Sequence, residues 1–339
     1  MDERYSRQIL FQEIGKAGQE KLLNSRVLIV GCGALGASHA ETLSRAGVGR
    51  LRIVDRDFVE YTNLQRQTLF DEEDAEHRTP KAAAAKRRIS EINSGIEVEA
   101  IVADVNNSNI ESLIDGCDLV LDGTDNFQAR YLLNDACVKH KKTWIYGAAV
   151  SSYGTTMTII PNKTPCLRCI FEEMPDAGSS PTCDTAGVIM PIISSISAVQ
   201  IAEAIKILVG DIASLHQSLI QIDAWQNDWR KIKLVEANLD CKCCGQGVYE
   251  FLDAATLEFS AVLCGRNAVQ IAPAKRVELD LDRFADKIKF VTAVNQNEYL
   301  VRFTVDENEV TLFGDGRAII KGTDDVSTAR SIYSKFIGS

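Results

Sequence analysis

The sequence predicts an α/β protein with a mostly parallel sheet, added antiparallel strands and a small C-terminal α+β domain. Three observations predict it. Short apolar runs alternate with helix-like segments from residue 27 to about 146, a glycine-rich turn follows the first run, and hairpin patterning replaces the alternation beyond residue 246.

Strands are expected at 27–30, 51–55, 96–101, 119–122 and 143–146, with helices near 34–46, 81–93, 107–115 and 127–141. Such alternation implies a sheet covered on both faces, with ligands beyond the carboxyl ends of the strands. After Gly147 the pattern turns β-rich at 155–160, passes through a Pro, Gly and Ser loop at 174–181, and reaches a long apolar stretch at 188–209. That stretch carries Pro191, Ser194, Ser195, Gln200, Glu203 and Lys206, which suits a buried helix with one polar edge better than a membrane span. A strand at 219–223 precedes Trp225 and Trp229; these elements are expected to extend the same sheet and cover its ligand side.

Past Cys244 and Gly245 come apolar runs at 299–305, 309–313 and 317–321, the last two split by the hairpin signal Gly314-Asp315-Gly316, and then a helix from about Val326. The expected division is therefore 1–246 and 247–339, the second part being of a size that folds alone.

The chain has 339 residues, of which 45% are hydrophobic and 25% charged, enough for one large globular domain and a smaller one. Net charge is −10 and no Lys/Arg block stands out, which argues against a nucleic-acid or membrane surface. An anionic ligand must then be met by a few placed cations. Met1-Asp2-Glu3-Arg4 lacks the order of a signal peptide, so a cytoplasmic location is expected. The ten cysteines are then reduced, and their paired spacings point to metal or chemistry.

Gly31-Cys32-Gly33-Ala34-Leu35-Gly36 directly follows the first strand and opens a helix. Missing side chains let backbone approach phosphates, and the helix N-terminus supplies free N–H groups and a positive dipole. Asp55 closes the second strand, where a carboxylate accepts hydrogen bonds from a nucleotide ribose. Alone, this Rossmann-like fingerprint favours NAD and an oxidoreductase. The residues beyond Asp55 do not: Asp57, Asn63-Leu64-Gln65-Arg66-Gln67, and Thr79-Pro80-Lys81. Thr79 and Pro80 read as an N-cap and first-turn pair that puts Lys81 in the first turn of a helix, where a cation opposes the helix dipole unless an anion lies between them. Lys81 therefore reads as a phosphate contact.

Arg4-Tyr5-Ser6-Arg7-Gln8-Ile9, the glycine turn, Asp55-Arg56-Asp57, Asn63 to Gln67, Pro80-Lys81, Thr124-Asp125-Asn126 and two cysteine pairs together resemble the ThiF/MoeB/HesA family. These are bacterial adenylyltransferases akin to ubiquitin-activating enzymes, here in an extended form. The resemblance covers residues 1–246. It implies a homodimer that binds ATP and magnesium and adenylates the Gly-Gly tail of a ThiS- or MoaD-like sulfur carrier, for thiamin thiazole or molybdopterin synthesis, with a sulfurtransferase as a further partner. Carried over residue by residue, Gly31, Gly33 and Gly36 form the cradle and Asp55 holds the ribose. Asn63, Arg66 and Lys81 contact phosphates, with Asp57, Gln67 and Asn126 beside the nucleotide; Asp125 places magnesium, and Arg7 reaches the neighbouring subunit's nucleotide.

The chemistry agrees. A carboxylate attacking the α-phosphate is already ionised near neutral pH, so catalysis needs charge neutralisation and alignment rather than a general base. The four histidines, His39, His77, His140 and His216, show no metal or triad spacing.

Cys166-Leu167-Arg168-Cys169 and Cys241-Lys242-Cys243-Cys244 are C-x-x-C pairs whose four thiolates suit a closed tetrahedral zinc; a redox pair or incidental buried cysteines are the alternatives. Spacing leaves open whether Cys241 goes with Cys243 or Cys244, and the family pattern selects Cys166, Cys169, Cys241 and Cys244. Cys183 lies between the 174–180 loop and the long apolar stretch. Relatives carry a cysteine there that can link covalently to the activated carrier. Ser151-Ser152-Tyr153-Gly154 either shapes a channel for the carrier tail or is a tight turn. Cys264-Gly265-Arg266-Asn267 reads as a turn, and no rhodanese loop is found in the last part. The competing functions are an NAD-dependent oxidoreductase and a non-catalytic, zinc-bearing module that binds a ubiquitin-like protein.

Overall fold

The computed structural model describes residues 3–175, 183–234, 237–253, 260–263, 267–272, 278–290 and 292–337. Contacts divide the chain into Met1–Asp253 and Ala254–Ser339.

The first unit holds β1 (Arg26–Val30), β2 (Arg50–Asp55), β3 (Glu97–Val102), β4 (Leu119–Asp122), β5 (Trp144–Val150), β6 (Tyr153–Ile159), β7 (Ser218–Asp223) and β8 (Asp228–Lys233). They form one sheet in the order β3-β2-β1-β4-β5-β6-β7-β8. Pairing is parallel from β3 to β5 and antiparallel from β5 to β8, so the later strands do extend the same sheet. Chain order reverses between β1 and β4, and in sheets of this kind that switch point opens the ligand crevice. Val30 is level with both Val54 and Asp122, which brings the carboxyl ends of β1, β2 and β4 together.

Five longer helices cover the sheet: α1 (Gly15–Asn24), α2 (Ala34–Ala46), α3 (Lys81–Ile92), α4 (Phe127–Lys139) and α5 (Met190–Val209). Side chains alternate across a strand, so Val27 and Ile29 face a core that includes Leu43, Ala85, Ile201 and Leu208. Leu28 and Val30 face a second core with Leu133, Ala136 and Trp144. By length and composition α5 could cross a membrane. Here it packs against α1, α2, β5 and β6. Part of its polar edge is buried, since Gln200 and Glu203 are enclosed together with Ser197, while Pro191 and Ser194 are exposed.

The sequence reading places β1 to β4 and α2 to α4 within a few residues, but the helix expected at 107–115 is only Ile110–Ile114, and β5 runs on to Val150. It passes over α1, the short helix Ser6–Ile9 and β8. The last of these is an edge strand whose Trp229, Arg230, Lys231, Ile232 and Lys233 are exposed. Seven residues past the expected joint stay with the first unit: Phe251 N–H donates to Asp135 Oδ2 at 2.9 Å and Arg168 pairs with Glu250 at 2.6 Å.

The second unit contains β9 (Ser260–Leu263), β10 (Ala268–Ile271), α6 (Leu281–Ile288), β11 (Val294–Gln296), β12 (Leu300–Val305), β13 (Asn308–Phe313), β14 (Ala318–Lys321) and α7 (Val326–Phe336). Its antiparallel sheet runs β11-β12-β13-β14-β10-β9. Val269, Val301, Phe303, Leu312 and Ile320 pack with Ala285, Ile288, Ala329 and Ile332 of the two helices, and the Tyr333 hydroxyl donates to Gly316 O at 2.6 Å. The sequence reading missed β10, β11 and α6. Residues 264–266 of the suspected polar turn lie outside the described residues.

Candidate nucleotide site and cysteine cluster

The turn after β1 is tight for a steric reason. Gly31 has φ +83, and a Cβ there would lie 2.7 Å from Gly123 O; one on Gly36 would lie 1.8 Å from Gly31 O. Gly33 caps α2. The first amides of the helix, which lack intrahelical acceptors, therefore open on the strand ends.

Asp55 lies against this turn, nearly buried, and accepts from Cys32 N–H at 2.6 Å through Oδ2 and from Asp57 N–H at 2.6 Å through Oδ1. Burial raises its carboxyl above the usual range, and the Lys81 charge pulls it back. Each oxygen retains a second lone pair for a ligand hydroxyl. Pro80, rather than Thr79, is the N-cap of α3, so Lys81 is its first residue. Proline has no side-chain acceptor to offer, and the Lys81 N–H instead donates to Asp57 O at 2.9 Å. Lys81 is only 4% exposed, with Nζ 3.6 Å from Asp57 Oδ2, so it is not a solvated helix-end lysine.

Asn63, Arg66 and Gln67 follow β2 on a short helical turn. Asn63 is buried and its Oδ1 accepts from Glu60 N–H at 3.0 Å, which spends one acceptor on local capping. Arg66 is half-buried, donating to Thr62 O at 2.8 Å. Gln67 is buried, and its Oε1 has no hydrogen-bond partner among the described residues. A Cβ on Gly33 would come within 4.0 Å of Gln67 Nε2, so this carboxamide borders the glycine turn.

Past β4, Asp125 is exposed and its Oδ1 lies 3.4 Å from Asn126 Nδ2. Asn126 caps α4 by accepting from Ala129 N–H at 2.9 Å. Arg7 is not brought to this group within one chain. Its neighbour Gln8 donates to Ala46 O at 2.9 Å, at the far end of α2 from the glycine turn. A helix of that length spans about 20 Å.

Cys166, Cys169, Cys241 and Cys244 converge, with all four sulfurs within 4.8 Å of one another. Cys243 is not one of the four: its buried sulfur accepts from Asn134 Nδ2 at 3.2 Å. Asn134 also accepts from Leu167 N–H at 2.9 Å and so braces both pairs. Cys183 begins the short helix Cys183–Ala186, half-buried, with its thiol 3.5 Å from Ala149 O at the end of β5. Ser151, with φ +55, makes the β5–β6 turn. It donates to Gly187 O at 2.7 Å and accepts from Ile189 N–H at 3.0 Å, which ties the segment after Cys183 to the sheet.

Sequence reasoning overlooked Asp122, Gly123, Arg130 and Gln200. The first two lie at the end of a strand already assigned, next to Thr124, and that position was the available signal. Gln200 and His39 sit in the apolar interior, hydrogen-bonded at 2.9 Å, and patterning gives no hint of their pairing.

A model of the ThiF family matches residues 5–243. The chain is 44% identical over 340 residues to the sulfur carrier protein ThiS adenylyltransferase of Bacillus subtilis, covering 100% of each. It is 39% identical over 245 residues to the SAMP-activating enzyme E1 of Haloferax volcanii, covering 72% of this chain and 89% of that one. Among solved structures, E. coli MccB with ATP has a TM-score of 0.63 at 25% identity, over 72% of this chain and 75% of that one. The matched span takes in the glycine turn, Lys81, Asp125 and three of the four clustered cysteines, and the chain belongs to the ThiF family.

Proposed function

We propose that this protein uses ATP to adenylate the C-terminal glycine carboxylate of a ubiquitin-like sulfur carrier of the ThiS type, releasing pyrophosphate. The observation that carries this reading is the Lys81 ammonium, buried at the strand ends in the first turn of α3. A cation there opposes the helix dipole; Asp57 offsets part of that cost, and a polyphosphate beside the ammonium would offset more. Similarity to a ThiS adenylyltransferase along the whole chain supports a ThiS-type carrier over a MoaD-type one, and with it a role in thiamin thiazole formation.

In this reading a carrier carboxylate oxygen bonds to the α-phosphorus as the bond to the bridging oxygen breaks and pyrophosphate leaves. Gly31, Gly33 and Gly36 admit the phosphates, and Asp55 accepts from the ribose. Asn63, Arg66, Gln67 and Lys81 meet phosphate oxygens, with Asp57 holding Lys81 in place and Asn126 fixing the loop beside the nucleotide. Asp125 offers an exposed carboxylate to magnesium, which would neutralise charge on the departing group. Arg7 would reach the site of a partner subunit, so the working form is a homodimer.

The cysteine cluster would hold zinc. Its sulfurs stand 3.9 Å (Cys166–Cys169), 3.6 Å (Cys166–Cys241) and 3.3 Å (Cys169–Cys244) apart, near the roughly 3.8 Å edge of a tetrahedron with Zn–S bonds of about 2.3 Å. Cys183 would attack the acyl-adenylate carbon as a thiolate, expelling AMP and leaving a thioester. A sulfurtransferase is the expected sulfur source, and the cytoplasm the expected location.

The decisive assay is exchange of label between pyrophosphate and ATP with a carrier ending in Gly-Gly. Carrier-dependent exchange is expected, with thermal stabilisation by ATP and magnesium but not by NAD. No exchange with any such carrier would leave a binding module, and stabilisation by NAD alone an oxidoreductase. A covalent carrier adduct at Cys183 is expected in non-reducing mass spectrometry.

A further inference from the structure

Thr124, which immediately precedes Asp125, is held at all three of its polar groups by one buried ion pair. Its N–H and its hydroxyl donate to Asp122 Oδ1 at 2.9 and 2.7 Å. Its carbonyl accepts from Arg130 Nη2 at 2.7 Å. Arg130 is 6% exposed and Asp122 0% exposed, and Arg130 Nε stands 3.4 Å from Asp122 Oδ2. The guanidinium also lies against Phe127 and Tyr146, at 5.6 and 5.7 Å from the ring centroids. Gly123 completes the lock: a Cβ there would lie 2.5 Å from Gly31 O and 2.9 Å from Gly36 Cα, so the loop is pressed onto the glycine turn.

From this geometry we infer that Arg130 is a positioning residue: with Asp122 it clamps Thr124 and thereby sets where the Asp125 carboxylate stands relative to the glycine turn. The inference rests on the adenylation reading for its kinetic consequence, though not for the clamp itself. Burying an ion pair stabilises little or nothing compared with apolar groups of the same size. What the pair supplies is placement. A lysine would retain the charge but not the planar fork that addresses a carbonyl and a carboxylate together while lying against two rings.

The test uses the full chain carrying Arg130→Lys, with Thr124→Val as a milder variant that removes only the hydroxyl bond. In the ligand-free protein, amide exchange over residues 123–126 is expected to quicken while that of α2 stays as in wild type. In carrier-dependent pyrophosphate exchange, Arg130→Lys is expected to raise the half-saturating magnesium concentration by about 10- to 100-fold. Half-saturation by ATP at excess magnesium should move by less than about threefold. Unchanged amide exchange, or an unchanged magnesium curve in an active variant, overturns the inference, as does a uniform fall in all parameters that tracks melting temperature. If Arg130→Lys does not fold, the same two measurements on Thr124→Val decide, with shifts in the same directions expected. If wild type itself shows no carrier-dependent exchange, the adenylation reading fails, and amide exchange still decides whether Arg130 holds the loop.

Discussion

The nucleotide end of the sheet and the cysteine cluster both join segments far apart in sequence, yet they are held in opposite ways. At the glycine-turn end several charged groups already have partners within the protein: Asp55 binds two backbone amides, Lys81 pairs with Asp57, and Asp122 and Arg130 enclose Thr124, while Gln67 Oε1 has no partner among the described residues. In the cysteine cluster four sulfurs crowd within 4.8 Å of one another. Thiols are weak hydrogen-bonding groups. One region is braced by its own ion pairs and hydrogen bonds, and the other gathers four sulfurs that could hold a metal ion.

The largest expected effect tests the second half of that contrast. Cys166→Ser, or a strong chelator, should release metal and destabilise the first unit by several kcal/mol or more, since structural zinc contributes on the order of 10 kcal/mol in small domains. Metal content and calorimetry read the outcome, and a metal-free protein with an unchanged melting temperature would break the comparison. Next, Lys81→Ala should slow pyrophosphate exchange by about 10²- to 10³-fold, the scale of losing one placed charge-stabilising group, with a far smaller effect on thermal unfolding. Equal losses in both would mean that Lys81 serves the fold.

A third test addresses the buried His39–Gln200 pair, in which His39 Nδ1 has no hydrogen-bond partner among the described residues. Burial lowers the His39 imidazole to about 4, while Gln200 partly opposes the shift. The unfolded chain takes up this proton near pH 6.5 and the folded chain only near 4, so stability is complete above 6.5 and declines as pH falls through that window. The loss is on the order of 3 kcal/mol. Denaturant melts should show His39→Gln flattening this part of the profile; an unaltered slope would assign the acid sensitivity to other groups. The smallest effect is expected for Gly123→Ala, where the added methyl meets backbone at Gly31 and costs about 1–3 kcal/mol. It should also lower exchange activity, because the glycine turn and the Asp125 loop are forced apart.

Legibility in the sequence divides along the same contrast. The cysteine cluster was legible because two C-x-x-C pairs can be read from spacing alone, although Cys243 required the structure to set it aside. The glycine turn, Asp55 and Lys81 were legible because backbone geometry restricts which residues can come after a strand. The clamp on Thr124 was not, since Arg130 reads as one more polar residue on a helix until α4 folds back over β4. The cap of α3 was shifted by one residue because Thr79 is a good capping residue by type, while the Asp57 carbonyl claimed the Lys81 amide. In the second unit β10 and β11 are short, and periodicity over three or four residues carries little information. β8 escaped notice because its solvent-facing residues break the apolar pattern.

That same edge strand bears on solubility. An open strand edge is a template for adding another chain, and self-association through such edges is a common route to aggregation. Two copies meeting β8 to β8 would crowd Arg230, Lys231 and Lys233 of both chains along one seam, with Asp228 the one anion of each strand and already paired with Arg230. Like charges facing each other across strands are destabilising, so the rim of the sheet repels its own copy while leaving its backbone open to a strand of different charge.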